Sequence, residues 1–228
     1  MKLVIFNGSP RGEKGNTKIL LEHFLRGFMQ TPGNLYEEYY LLHTREHEYH
    51  ARIFNESEAV LLAFPLYTDA MPGIVKAFIE ELAPYPESPQ PESRPKLLFL
   101  VQSGFPEAIH LETLGRYLAK LAGRLGYECP GVIIKGGVEG IQIMPPKMTR
   151  KLFHQMFTLG ESFGRTGSLD SKILEKMRSM KRFPLWIFPV LYLMKWFGLM
   201  DFYWNQTLKE NNAFSRRFDR PYPLDSNQ

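Results

Sequence analysis

At 228 residues, with 44% hydrophobic and 23% charged side chains, the chain has the make-up of one globular domain with an appendage, which excludes a disordered, collagen-like or purely coiled-coil protein. A single cysteine, Cys129, excludes an internal disulfide, and no cysteine cluster exists for an iron–sulfur centre or a structural zinc, so a reducing, cytoplasmic setting is expected. The net charge of +4 lies entirely in the last 60 residues, because 1–168 carry 18 basic and 18 acidic groups and 169–228 carry 10 and 6.

Met1 to Phe6 is a short apolar run, as in a strand buried on both faces of a parallel sheet, and it is broken too early to serve as a secretory signal. Ile19, Leu20, Phe24, Leu25 and Phe28 then recur at helical spacing, with Asn16 or Thr17 placed to cap the helix. Leu35 to Leu42, which carries Glu37 and Glu38, suits a less buried edge strand. Ala59 to Phe64 is the next apolar strand, and Pro72 opens a helix bearing Ile74, Val75, Phe78, Ile79 and Leu82. Five prolines between Pro84 and Pro95 predict an extended loop. Lys96 to Val101 is a fourth strand. Leu111, Leu114, Leu118, Leu121 and Leu125 form one helical stripe closed by Gly126, read more simply as a sheet-packing face than as a dimer seam. Val132 to Ile134 and the face Leu152, Phe153, Met156, Phe157 and Phe163 complete five strand–helix units. Such a succession predicts an open parallel sheet with helices on both sides and ligands at the carboxyl ends of its strands.

Three loops fall at those ends. Gly8 to Thr17, after the first strand, matches neither a Walker A loop nor GxGxxG; it is a glycine-rich turn with Ser9, Arg11 and Asn16 leading into a helix N-terminus, where amides, helix dipole and guanidinium favour a phosphate. Phe64 to Gly73 follows the third strand, and Gln102 to Glu107 the fourth.

Asn7-Gly8-Ser9-Pro10-Arg11 followed by Asn16-Thr17 resembles the flavin-phosphate loop of the NAD(P)H-dependent FMN reductases, in which a serine usually stands where this chain has Gly15. Pro65-Leu66-Tyr67 with Met71-Pro72-Gly73, and Ser103-Gly104-Phe105, resemble the family's second and third loops. The resemblance covers roughly residues 1 to 165. It implies a flavodoxin-like three-layer α/β sandwich with a five-stranded parallel sheet of order 2-1-3-4-5, spanning 1–168. It also implies that Ser9, Arg11, Asn16 and Thr17 hold the FMN phosphate, and that Pro65 and Leu66 give the isoalloxazine ring apolar contact and backbone donors. Tyr67 would border the face where nicotinamide stacks, as the catalytic-site residue. Ser103, Gly104 and Phe105 would lie near the flavin pyrimidine. The implied activity is hydride transfer from NADH or NADPH to FMN and on to a quinone, flavin or other small acceptor, by a homodimer with sites near its interface. An electron carrier of flavodoxin type, or a non-catalytic flavin-binding module at a membrane, are the alternatives; the positive net charge counts against the acidic carriers.

His43, His47 and His50 would share a helical face, but without cysteine and amid charged neighbours they are not assigned a metal, and Cys129 reads as an inert small residue. Residues 169–228 read as a helical extension. Leu169, Ile173, Leu174, Met177 and Met180 make an amphipathic basic helix, and Phe183 to Met200 follow with one charge in eighteen residues. Pro184, Pro189, Lys195 and Gly198 argue against a membrane span, which needs about 20 predominantly apolar residues. Peripheral membrane contact through 183–204 suits the aromatics beside a basic helix, and Trp186, Trp196 and Trp204 suit docking on the body or a second subunit. No nucleic-acid-binding motif accompanies the charge.

Overall fold

Five strands, β1 (Lys2–Asn7), β2 (Leu35–Tyr40), β3 (Ala59–Pro65), β4 (Lys96–Gln102) and β5 (Val132–Lys135), form one parallel sheet in the order β2-β1-β3-β4-β5. This is the flavodoxin-like order. The computed structural model describes residues 1–82, 95–107, 109–178, 182, 184–198 and 200–219, the side chains of Phe202 and Tyr203 excepted. The proline-rich loop expected over 84–95 lies outside the described residues apart from Pro95, as do Met180, Phe183 and Leu199 of the extension.

The strand sequences explain their places. β3, with Ala-Val-Leu-Leu-Ala-Phe-Pro, is apolar at every position and buried at every position in the sheet centre. β2, with Leu-Tyr-Glu-Glu-Tyr-Tyr, has its exposed and half-buried residues at the edge. Alternate residues along each central strand enter opposite cores. Val4, Phe6, Val60, Leu62 and Phe99 join Phe54 of α2 (His47–Asn55), Phe78 of α3 (Gly73–Glu81) and Leu118 of α4 (Ile109–Arg124). Leu3, Ile5, Leu61, Leu98 and Leu100 join Phe24 and Phe28 of α1 (Asn16–Phe28) and Met156 and Phe163 of α5 (Pro146–Thr166). The leucine stripe of α4 therefore faces the sheet. α1 and α5 touch backbone to backbone at Gly27 and Gly160: a Cβ on Gly160 would lie 1.8 Å from the Phe24 carbonyl oxygen, and one on Gly27 1.9 Å from that of Phe157. No larger residue fits that crossing.

Contacts divide the chain into two compact units, Met1–Arg182 and Phe183–Gln228. Leu169 and Met177, read from the sequence as the start of the extension, are buried in the α1–α5 core, and α6 (Ser171–Met177) is capped by Asp170, whose carboxylate accepts from the amides of Lys172 at 2.8 Å and Ile173 at 3.1 Å. The apolar spacing that suggested an independent helix is the signature of this burial. The second unit contains α7 (Ile187–Trp196) and α8 (Phe202–Glu210), followed by a short 3₁₀ turn at Phe214–Arg216. No residue of α7 is buried, and among the described residues no helix is long and apolar enough to cross a membrane.

The expected histidine face does not form. His43 is extended and exposed ahead of α2, whereas His47 and His50 are buried: His47 Nε2 lies 3.0 Å from the Leu41 carbonyl, and His50 packs among Phe6, Tyr39 and Tyr49. Apolar contacts on the inner side of α2 outweigh the charged neighbours that made the stretch look solvated. Among the described residues no three His, Cys, Asp or Glu side chains are grouped to hold a metal ion. Burial pushes the Cys129 thiol up, away from the reactive thiolate.

Candidate functional site

With β1 flanked by β2 on one side and β3 on the other, the chain reverses its winding between β1 and β3, and the loops beyond their carboxyl ends diverge to leave a crevice. A cleft of about 190 Å³ occupies that place. Of the residues expected at the site, Ser9, Arg11, Asn16, Pro65, Leu66, Tyr67, Ser103 and Gly104 line it, joined by Gln102 and Glu139. The side chains of Thr17 and Phe105 do not.

The first loop is held from behind by Asn7 at the end of β1. The buried Asn7 carboxamide accepts from the Ser9 amide at 3.1 Å and donates to Glu38 at 3.4 Å, and Glu38 pairs with Lys18 at 2.5 Å. Two tight turns follow, with the Gly12 amide donating to the Ser9 carbonyl at 2.9 Å and the Gly15 amide to that of Gly12 at 3.2 Å. The Arg11 amide donates to Ser9 Oγ at 3.3 Å. Gly15, not Asn16 or Thr17, is the N-cap of α1, and no side chain among the described residues caps the helix. Asn16 and Thr17 are instead its first residues, so their amides find no acceptor among the described residues. Uncapped amides at a helix N-terminus, with the helix dipole behind them, suit an anion. Arg11 stands exposed beside them and pairs with no carboxylate among the described residues. Glycine at 15 follows from packing: a Cβ there would lie 2.6 Å from Ser9 Oγ and 3.4 Å from Arg11 Cβ.

Thr17 is 0% exposed, and its Oγ1 accepts from Gln102 Nε2 at 3.3 Å, which makes the side chain a brace below the cleft and leaves only its amide for a ligand. Asn16 Nδ2 donates one of its two N–H groups to the Val138 carbonyl at 2.9 Å, which ties the side chain to the loop after β5.

In the second loop the Leu66 amide donates to the Gln102 carbonyl at 2.7 Å, and Tyr67 and Ala70 exchange two backbone bonds at 2.9 and 3.2 Å. Proline has no N–H, so the backbone donors expected from Pro65 and Leu66 are not available to a ligand. The turn is tight enough to put Thr68 at φ +57°, a left-handed conformation that costs a non-glycine residue about 1–2 kcal/mol. Its consequence is to fix the Tyr67 backbone while the side chain, 48% exposed, stands at the rim of the cleft.

The third loop turns at Ser103, whose amide donates to the Lys135 carbonyl at 3.0 Å and whose Oγ donates to the Phe105 carbonyl at 2.9 Å. The amides of Gly104 and Phe105 have no acceptor among the described residues. The Phe105 ring, 59% exposed, tilts against His110 at 5.3 Å rather than lining the cleft. His110 joins two loops, with Nδ1 4.0 Å from Asp69 and Nε2 3.8 Å from Glu107.

A fourth loop, after β5, went unread in the sequence and supplies Glu139. Val138 ties it in, accepting from Asn16 and donating to the Ser103 carbonyl at 3.0 Å, and Gln142 donates to the Lys14 carbonyl at 2.8 Å. Its signal was the pair Gly136-Gly137: a Cβ on Gly136 would meet the Phe105 carbonyl oxygen at 2.6 Å.

No protein-family model matches the chain, and no curated protein matches its sequence. Solved structures share its fold. An FMN-dependent NADH-azoreductase from Bacillus anthracis, in complex with FMN, superimposes with a TM-score of 0.55 at 12% identity, over 72% of this chain and 100% of its own. An NADH:FMN oxidoreductase in its apo form gives a TM-score of 0.54 at 15% identity, over 82% of this chain and 98% of its own. An NADPH-quinone reductase from P. pentosaceus gives 0.51 at 13% identity, over 73% and 99%. These superpositions show a common flavodoxin-like fold and, at identities this low, the fold alone.

Proposed function

We propose that the chain is an FMN-dependent NAD(P)H oxidoreductase that passes electrons to a small acceptor such as a quinone or flavin. The observation that carries the reading is the uncapped N-terminus of α1 at the β1/β3 crevice, with Asn16 and Thr17 amides lacking acceptors and Arg11 unpaired beside them among the described residues. A phosphate fits that donor set. The reductases of like fold named above agree with it in cofactor. FMN, when bound, supplies the hydride chemistry between nicotinamide and acceptor, so the protein needs no obligatory acid–base side chain of its own.

This chain's part is binding, orientation and exclusion of water. Arg11 and the first amides of α1 hold the phosphate, Ser9 Oγ stands beside them, and the amides of Gly104 and Phe105, without an acceptor among the described residues, offer donors to the ring edge. At about 190 Å³ the enclosed cleft is smaller than the roughly 300–1,000 Å³ of whole-ligand pockets, so the ring would lie over the open rim that Tyr67 and Gly104 form. Tyr67 then borders the face on which nicotinamide stacks. Titration of the apo-protein with FMN and with riboflavin tests the reading. Charge-assisted contacts predict FMN at least about tenfold tighter. Equal affinity for the two would remove the phosphate site and the function built on it.

A further inference from the structure

We infer that Asn16 recognises, through its side-chain oxygen, a hydroxyl of the polyol chain joining the flavin ring to its phosphate; the inference rests on the FMN reading above. Asn16 lines the cleft and is only 5% exposed. One N–H of its Nδ2 is donated to the Val138 carbonyl at 2.9 Å. That bond also fixes which end of the amide is which, because the flipped side chain would set two acceptors against each other. The Val138 carbonyl has no freedom to follow, since the loop is anchored by the Val138 amide on Ser103 and by Gln142 on Lys14. The Oδ1 of this cleft-lining residue is a buried acceptor with no hydrogen-bond partner among the described residues. A polar atom in that condition calls for a donor.

A phosphate dianion cannot be that donor, since all its oxygens accept. Two chemically opposite groups therefore sit side by side at the start of α1: donors from the Asn16 and Thr17 amides and Arg11, and an acceptor from Asn16 Oδ1. A phosphorylated polyol matches both, with the phosphate on the donors and an adjacent O–H on Oδ1. Bare phosphate matches only the first. The N3–H of the flavin ring is also a donor, but it lies at the opposite end of the ligand from the phosphate.

The test titrates full-length apo-protein, wild type and Asn16→Ala, with three probes followed by flavin fluorescence: FMN, riboflavin, and a flavin bearing a hydroxyl-free five-carbon phosphate chain. The expected result is that Asn16→Ala weakens FMN and riboflavin by the same factor, about three- to tenfold, and leaves the hydroxyl-free phosphate unchanged. A loss confined to FMN would make Asn16 a phosphate reader. A loss common to all three probes would make it a loop brace whose Oδ1 serves only water. Either overturns the inference, as does the absence of any flavin binding to the wild type, which removes the FMN reading as well. Should Asn16→Ala fail to fold, the wild type decides alone: the hydroxyl-free phosphate should bind about three- to tenfold more weakly than FMN, and equal binding overturns the inference.

Discussion

Gln102 at the end of β4 donates to Thr17 Oγ1 in the first turn of α1 at 3.3 Å, across 85 residues of sequence, and so ties the two sides of the cleft floor together. Both residues are buried. Thr17→Val keeps the shape and removes the acceptor, leaving the Gln102 amide unsatisfied at a cost of about 1–3 kcal/mol, read as a lowered urea midpoint. FMN affinity should change by less than about threefold, because only the amide at 17 faces a ligand. A large affinity loss with unchanged stability would return the hydroxyl to the binding surface.

Arg11 stands apart from every carboxylate among the described residues, so its truncation should leave stability untouched and act on the ligand. Arg11→Ala is expected to weaken FMN by about tenfold to a hundredfold and riboflavin by much less. Losses of equal size for both ligands, measured by titration, would show that the guanidinium does not meet the phosphate.

The buried His50 gives the fold a pH dependence. Burial pushes its imidazole below the ordinary value of about 6.5, with Glu46 at 3.7 Å opposing and His47 reinforcing the shift. A depressed native value means that the unfolded chain binds the extra proton, so stability is full above about pH 6.5 and declines as pH falls through the native value. His23, lowered by burial and by Arg26, adds to the same slope. Melting temperature should drop between pH 7.5 and 5.5, and His50→Phe, which suits the Phe6–Tyr39–Tyr49 surroundings, should shrink that drop. An identical drop in the variant would place the proton elsewhere.

Two truncations locate the boundary of the first unit. Ending the chain after Arg182 retains every residue of both cores, whereas ending it after Ser168 deletes Leu169 and Met177 from the α1–α5 core. Each such side chain stabilises by about 1.5–3 kcal/mol, so the shorter fragment should melt several degrees or more below the longer. Equal melting temperatures would mean that α6 adds nothing to the core.

The central strands and the flanking helices were legible because their core-facing positions are apolar: β3 and the α4 stripe read correctly from apolar spacing alone. The three loops were legible from glycine, proline and hydroxyl residues at strand ends. What escaped depends on contacts remote in sequence. Asn16 is fixed by the N–H it gives to Val138, 122 residues away, and Thr17 becomes a brace only because Gln102 reaches it. Glu139 and His110 escaped for the same reason. The basic spacing around 169–177 concealed that Leu169 and Met177 point into the core.

The central claim is that this chain holds FMN and reduces it with a pyridine nucleotide, and the visible spectrum of the FMN-reconstituted protein under anaerobic addition of NADH or NADPH tests it most directly. Prompt bleaching of the oxidised flavin bands by at least one of the two is the predicted result, slowed in Tyr67→Ala while FMN stays bound. A protein that remains yellow with both nucleotides, or that takes up no FMN at all, would contradict the account.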